Sequence, residues 1–306
     1  MHRANKSKEI SLKWRVSKKE AGMRLLQFLR EKCPESPSVK TLKRAIDDKF
    51  CTVNDRIEIF SSYRLEENDV VMLNTLAFEK TKKALAITIP ILYEDQELLI
   101  INKPPGLISD IAAIKKGLPK ESLNLVHRLD KETSGVLILA KTPEMKEKMI
   151  LLFKKLKVRK LYLAIVDKVL EKDEGKIDNF LGEKHHYQGQ TIYGSVEEKK
   201  GRHAITYWKC LAKGKNACIV SCEPYTGRTH QLRVHLSSLG HPILGDIQYG
   251  KKFFCSYRPQ RNLLHAYCIV FEHPTTRKSL KVIAPIPVDF KQAMEAIKVT
   301  LDGASY

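Results

Sequence analysis

Long apolar runs are missing from this chain of 306 residues. None approaches the ~18 residues that a membrane-spanning helix needs. The polar, basic opening MHRANKSKEISLKW also lacks the apolar core of a secretory signal, so no membrane association is expected. Acidic charge is scarce as well: 35 Asp and Glu stand against 54 Lys and Arg, a formal net charge of +19. An excess of that size points to a polyanionic partner, and nucleic acid is the commonest. There is no P-loop, no dinucleotide-binding fingerprint, no internal repeat and no low-complexity segment. The seven cysteines are odd in number and lack framework spacing, which fits reduced thiols in a cytoplasmic compartment. Cys218 and Cys222, in ACIVSCE, read as core. Metal spacing is absent too. His185 and His186 would point opposite ways on an extended chain, and His230 and His235, five apart, do not share a helix face. What remains is an ordinary globular composition, 43% hydrophobic and 29% charged, long enough for one to two domains.

One stretch organises the chain: LVHRLDKETSGVLILAKT, from Leu125 to Thr142. Asp130 lies between Arg128 and Lys131. The polar turn Glu132-Thr133-Ser134-Gly135 follows, then the apolar run Val136 to Ala140. That run has the length and β-branched start of a buried strand, with Gly135 as the break before it. Asp130 is therefore expected on a loop held by a rigid strand, where reactive groups are commonly carried. Its cationic neighbours favour the ionised carboxylate. Taken alone, an Asp in such a loop is more often a turn or ion-pair residue. The string HRLDKETSGVLILAKT, however, resembles the central motif of the RluA-type pseudouridine synthases. That resemblance implies that Asp130 is the catalytic residue.

Residues 1–16 read as a basic arm. From 17 to 76 the pattern is a small module: a helix over Met23 to Glu31, then Ser38 as N-cap of a helix over Val39 to Asp48. Phe50 to Val53 and Ile57 to Phe60 flank the turn Asn54-Asp55, and Val70 to Leu73 forms a last strand. The order, with RLLQFL, SVKTLKRAI, CTVND and ENDVVML, resembles an S4 RNA-binding domain. Its basic helix, carrying Lys40, Lys43 and Arg44, would follow phosphates without reading bases. Residues 77–89 read as a linker, rich in lysine at Lys80, Lys82 and Lys83.

Residues 90–306 carry the remaining motifs. Strands are expected over Ile91 to Tyr93 and Leu98 to Asn102, the second stopped by Lys103-Pro104-Pro105-Gly106. INKPPGL resembles a second motif of the same family, with Lys103 beside the RNA. Between Leu107 and Val126 the chain is shorter than in many relatives and carries Lys115, Lys116 and Lys120. Thr142-Pro143-Glu144 signals a helix start, followed by an apolar stripe at Met145, Met149, Leu152 and Leu156. KLYLAIV, on a strand, resembles the family's Tyr-bearing motif, which implies that Tyr162 lies against the target base, with Lys160 near the RNA. Residues 171–203 read as a polar excursion, before strands at Ala204 to Cys210 and Ala217 to Cys222. In GRTHQLRVHLSSLG, Thr229 is the expected N-cap, Leu232, Leu236 and Leu239 the apolar face, and Gly240 the stop. GRTHQLRVH resembles the third family motif, whose first Arg pairs with the catalytic Asp; carried over, Arg228 pairs with Asp130. Two strand-like runs and a helix from Pro287 close the chain, with His265 and His273 structural.

The expected fold is α+β: a mixed, mainly antiparallel central sheet flanked by helices and loops, plus the small S4-like module. The family resemblance implies an isomerase converting uridine to pseudouridine in RNA, most naturally 23S-type ribosomal RNA, by base flipping and attack or proton abstraction by Asp130. No cofactor is needed, because the reaction has no redox change and no group donor. Arg228 and Tyr162 complete the catalytic set; Arg128, Lys103, Lys131, Lys160, Lys40, Lys43 and Arg44 are the candidate RNA contacts. A cytoplasmic monomer with no obligate protein partner is expected. Two rivals are a non-catalytic RNA-binding or ribosome-assembly factor and an N-glycosidase; the latter generally wants two carboxylates.

Overall fold

The structure is a computed structural model that describes residues 11–33, 38–74, 88–118, 122–187, 190–250 and 252–301. The expected arm over 1–10 and most of the linker, 77–87, lie outside the described residues, as do Lys80, Lys82, Lys83 and Lys120. The chain forms two compact units, one within residues 1–85 and 185–192, the other within 86–184 and 193–306.

In the first unit, strands β1 (Ser11–Arg15), β2 (Cys51–Val53), β3 (Arg56–Ile57) and β4 (Val70–Asn74) form one sheet in the order β1-β4-β2-β3. Helices α1 (Leu25–Lys32) and α2 (Val39–Asp47) supply Leu25, Phe28, Leu29, Leu42 and Ile46 to its core. Three expectations change here. Residues 11–15 are a sheet strand rather than arm, paired along Val70 to Asn74. Ser38 holds the N-cap position of α2 without a side-chain capping bond. The strand expected to reach Phe60 stops at Ile57, because the Glu58 carboxylate takes up the next two amides, Ile59 N–H at 2.9 Å and Phe60 N–H at 2.7 Å. Asn54 and Asp55 both adopt positive φ, 51° and 61°, as a two-residue hairpin turn requires.

The second unit is built on a sheet of eleven strands. Its main path combines β5 (Ile91–Glu94), β6 (Leu98–Lys103), β8 (Ser134–Ala140), β9 (Arg159–Asp167), β10 (Glu174–Tyr187), β11 (Gln190–Val196), β12 (Arg202–Lys213), β13 (Ala217–Pro224) and β14 (Leu264–Glu272). The spatial order is β11-β10-β12-β13-β9-β14-β8-β6-β5, with β7 (Asn124–Leu125) beside β8 and β15 (Ser279–Ile283) beside β14. Strands β8 and β14 run parallel inside an otherwise largely antiparallel sheet. The segment taken as a polar excursion is in fact β10 and β11. Its charged, Gly-bearing composition conceals two strands: β10 pairs along β12, and β11 lies beside β10 at the sheet edge.

Every residue of β8 is buried, so it reads as an unbroken apolar run rather than an alternating one. Gly135 opens it at φ 111°, where a Cβ would stand 2.1 Å from the Ala266 carbonyl oxygen. No other residue lets β14 come that close behind the Asp130 loop. Helix α3 (Ile111–Lys115) is capped by the Asp110 side chain. Helix α4 (Pro143–Lys154) starts as expected, with Thr142 accepting from Met145 N–H at 3.1 Å. It ends before Leu156, which turns at φ 57° and is exposed, so the expected stripe loses its last member. Helix α5 (Gln231–Ser238) begins not with Thr229 but with His230, at φ 54° and without a side-chain cap. Helix α6 (Val288–Ala296) follows Pro287 as expected.

Buried histidines make this unit acid-sensitive. Burial pushes His265 and His235 down to about 4, and burial followed by the Lys160 charge pushes His127 down to about 3. Each is used as a neutral ring: His265 bonds Ser134 Oγ at 2.9 Å, His235 bonds Thr206 Oγ1 at 2.9 Å, and His127 Nε2 accepts from Ile138 N–H at 3.0 Å. In the unfolded chain these rings titrate near ~6.5. Between that value and ~4 the unfolded state therefore binds more protons, and stability falls as pH falls. Urea unfolding midpoints should drop steadily from pH 7 to pH 4.5; a flat profile would contradict the neutral-ring assignment.

Candidate active site

Asp130 sits in the loop between β7 and β8, its side chain about 30% exposed. The loop is fastened on both sides of the aspartate. Leu129 exchanges two bonds with Ser109: its N–H donates to Oγ at 3.0 Å, and Oγ donates to its carbonyl at 2.7 Å. On the other side Lys131 O accepts from Gly106 N–H at 2.8 Å and from Lys103 Nζ at 3.2 Å. Thr133 N–H closes the turn onto Asp130 O at 3.1 Å. Behind it, Arg261 Nη1 donates to Glu132 O at 3.0 Å and Asn262 N–H to Glu132 Oε2 at 3.0 Å. Glu132 is thus a structural turn residue, not a second catalytic acid.

Lys103 departs from its expected RNA-contacting role. It is fully buried, and its ammonium donates to the carbonyls of Leu107, Pro104 and Lys131 at 2.8, 3.0 and 3.2 Å. Burial, then the nearby Arg261 charge, presses it down to about 7. The stiff KPPG loop is tied to the Asp130 loop through this side chain and the Gly106 amide, and the buried ammonium faces backbone carbonyls rather than solvent.

The arginine facing Asp130 is Arg233, not Arg228. Arg233 Nη1 donates to Asp130 Oδ2 at 3.3 Å. Its Nε and Nη2 grip Asp246 bidentately at 2.7 and 2.9 Å, and Nη2 also reaches Gln248 Oε1 at 2.7 Å. The Tyr249 ring lies under the guanidinium at 4.9 Å. Burial alone would raise the Asp246 carboxyl; the Arg233 charge and hydrogen bonds outweigh it and hold Asp246 below the usual carboxylate range. Arg228 turns away, its Nε donating to His203 O at 2.9 Å. The reason is the left-handed residue at the helix start. His230 reverses the chain, so the first helical turn, not the residue before it, projects Arg233 toward the aspartate.

His230 completes this side. Its Nε2 is 3.9 Å from Asp130 Oδ2, and its Nδ1 bonds the Tyr249 hydroxyl at 2.8 Å. Burial, then the Arg233 charge, push it down to about 4, so it is a neutral ring at pH 7. Arg233 and His230 both approach the Asp130 carboxylate at Oδ2. Among the described residues Oδ1 has no partner.

Tyr162, on β9, is half-buried against Leu129, Leu137 and Ala266. Burial, then the Asp130 charge, push its phenol up. Lys160, two residues earlier on the strand, donates to Thr226 O at 3.2 Å, and burial followed by the Arg228 charge press it down to about 8. Arg128 is exposed beside the aspartate and Lys131 is half-buried. Lys40, Lys43 and Arg44 are exposed on α2 of the other unit, where Arg44 pairs with Asp48 at 3.3 Å.

The site is thus a part-exposed carboxylate held through one oxygen by a buried arginine, with a half-buried tyrosine within reach of its charge. Residues 97–238 match the RNA pseudouridylate synthase family. The chain is 34% identical over 300 residues to ribosomal large subunit pseudouridine synthase C of Buchnera aphidicola subsp. Schizaphis graminum, covering 90% of this chain and 93% of that protein. It is 31% identical over 303 residues to the synthase C of Vibrio cholerae, covering 91% and 94%. Among solved structures it is similar to human RNA pseudouridylate synthase domain containing 4, with a TM-score of 0.56 and 28% identity over 68% of this chain and 93% of that one. The chain belongs to the RNA pseudouridylate synthase family, in its RluA-type branch. It is an isomerase that turns uridine in RNA into pseudouridine.

Proposed function

We propose that this enzyme modifies uridine in large-subunit ribosomal RNA. The observation that carries the reading is the Asp130 carboxylate, with Oδ2 held by Arg233 and Oδ1 open. Two relatives named for that ribosomal subunit align over nine-tenths of the chain, which supports the substrate class. The first unit acts as an S4-like RNA-binding module. The exposed Lys40, Lys43 and Arg44 on one face of α2 support this role, giving affinity through phosphates.

A stacked uridine is out of reach and must be extruded, at roughly a few kcal/mol. Stacking of the freed base on Tyr162 offsets about 1–3 kcal/mol of that. Asp130 Oδ1 then either attacks or removes a proton to start release of the base, which turns and rejoins through C5. Arg233 keeps the carboxylate aimed, and Lys103, Ser109 and Arg261 keep its loop rigid. Arg128, exposed next to Asp130, occupies the gap or a phosphate near the extruded base. All seven cysteines are free thiols, which supports a reducing cytoplasm as the place of action.

The test is incubation with a uridine-labelled large-subunit transcript, followed by nucleoside analysis. Pseudouridine without free uracil is the expected product. Free uracil would indicate a hydrolase, and binding without change an assembly factor. Modification of transfer RNA but not of the ribosomal transcript would overturn the substrate class alone.

A further inference from the structure

Beside the active site lies a cleft of about 560 Å³, lined among others by Tyr193, Lys199, Lys200, Arg202, Gly227 and Arg228. Four cations line it against one acid, Glu183. Lys200 reaches Glu197 only across an exposed 3.4 Å pair, which holds it weakly. Two glycines let the backbone fold closely around this space. A Cβ at Gly182 would meet Lys200 O at 2.5 Å, and one at Gly201 would meet Val196 Cγ2 at 2.6 Å.

Arg228 is the fixed element. Its Nε is bound to His203 O at 2.9 Å, and its backbone N–H donates to Gln231 Oε1 at 3.0 Å. Gln231 is itself buried and fully engaged, accepting from Thr226 Oγ1 at 2.8 Å and donating to Ile205 O and Thr206 Oγ1, both at 2.9 Å. The backbone of Arg228 is thus fixed and its guanidinium is steered through Nε by one exposed bond, while among the described residues neither Nη group has an acceptor. A guanidinium fork with both terminal nitrogens free suits a tetrahedral oxyanion. The cleft adjoins the reaction centre: the Tyr193 ring stands 5.7 Å from that of His230, whose Nε2 is 3.9 Å from Asp130.

We propose that this cleft receives a backbone phosphate of the RNA strand flanking the uridine at Asp130, gripped by Arg228 with Arg202, Lys199 and Lys200 around it. The inference rests on the RNA-modifying reading above and gives Arg228, displaced from the catalytic aspartate, a role of its own. Gly227 offers a clean probe: a Cβ there meets nothing within 4 Å, so a side chain enters the cleft without disturbing the fold.

The experiment measures binding of a single-stranded oligouridylate against salt for wild type, Arg228→Gln, Arg228→Lys and Gly227→Glu, with unfolding midpoints as a check on folding. Losing one phosphate contact lowers the slope of log K against log salt by about 0.7 and weakens binding at 0.1 M salt about fivefold. Arg228→Gln and Gly227→Glu should show both changes, and Arg228→Lys should recover the slope but only part of the affinity. Wild-type slopes in both Arg228→Gln and Gly227→Glu overturn the phosphate site. Pseudouridine formation on the large-subunit transcript is scored in parallel. Product with unshifted slopes removes the cleft alone, whereas shifted slopes with no product from wild type remove the isomerase reading and leave the phosphate site standing.

Discussion

Asp130→Asn should lose pseudouridine formation by about three orders of magnitude or more, while RNA affinity stays within about twofold of wild type. The amide is nearly isosteric with the carboxylate and can still accept from Arg233 Nη1 through its oxygen, so the loop keeps its bonds to Ser109, Gly106 and Lys103. What disappears is the anionic oxygen, on which both nucleophilic attack and proton abstraction depend. Neither Glu132 nor Asp246 can stand in. Glu132 is spent on the Asn262 amide, and Asp246 is buried under two bonds from Arg233. Single-turnover assays on the transcript, with filter binding alongside, measure the two quantities separately. Turnover within tenfold of wild type would remove Asp130 from the chemistry.

Asp130 and its setting were readable because local rules agree there. A charged turn, a glycine break and a fully apolar strand leave one arrangement for the carboxylate, and β8 is buried along its whole length. The first unit was readable for a similar reason: the spacing of Leu25, Phe28, Leu42 and Ile46 and the Asn54-Asp55 turn are local signals. Two things escaped. Lys103 was placed beside the RNA through the resemblance of INKPPGL to a family motif; lysine is almost never fully buried without partners, and its partners here are three backbone carbonyls that no sequence displays. Arg228 and Arg233 share one motif, and which of them faces inward depends on the left-handed turn at His230, set by tertiary packing. A signal did exist. Arg233 sits between Leu232 and Val234 on a short helix, and a buried arginine needs carboxylate partners; Asp246 lies thirteen residues on. The β10 and β11 strands were missed because a strand with charged side chains toward water carries too weak an apolar pattern to be separated from a loop.

Arg233→Met should destabilise the protein by about 3–5 kcal/mol, because it leaves the Asp246 carboxylate, whose side chain is 1% exposed, buried without its counter-charge. The same variant should be inactive, but that alone does not separate a catalytic from a structural arginine. The double variant Arg233→Met/Asp246→Leu separates them. With both charges gone, the site becomes an apolar contact against Tyr249, and much of the lost stability returns, since a buried ion pair is often replaceable by packed apolar side chains. Activity should not return, because Asp130 Oδ2 has lost the guanidinium that held it and Oδ1 is no longer aimed. Urea unfolding and single-turnover pseudouridine formation on the same samples give the comparison, and the non-additivity in stability reports the pair directly. If the stabilised double variant is as active as wild type, Arg233 is only a strut for the fold. If it is stable and inactive, the guanidinium acts on the reaction through the aspartate it orients.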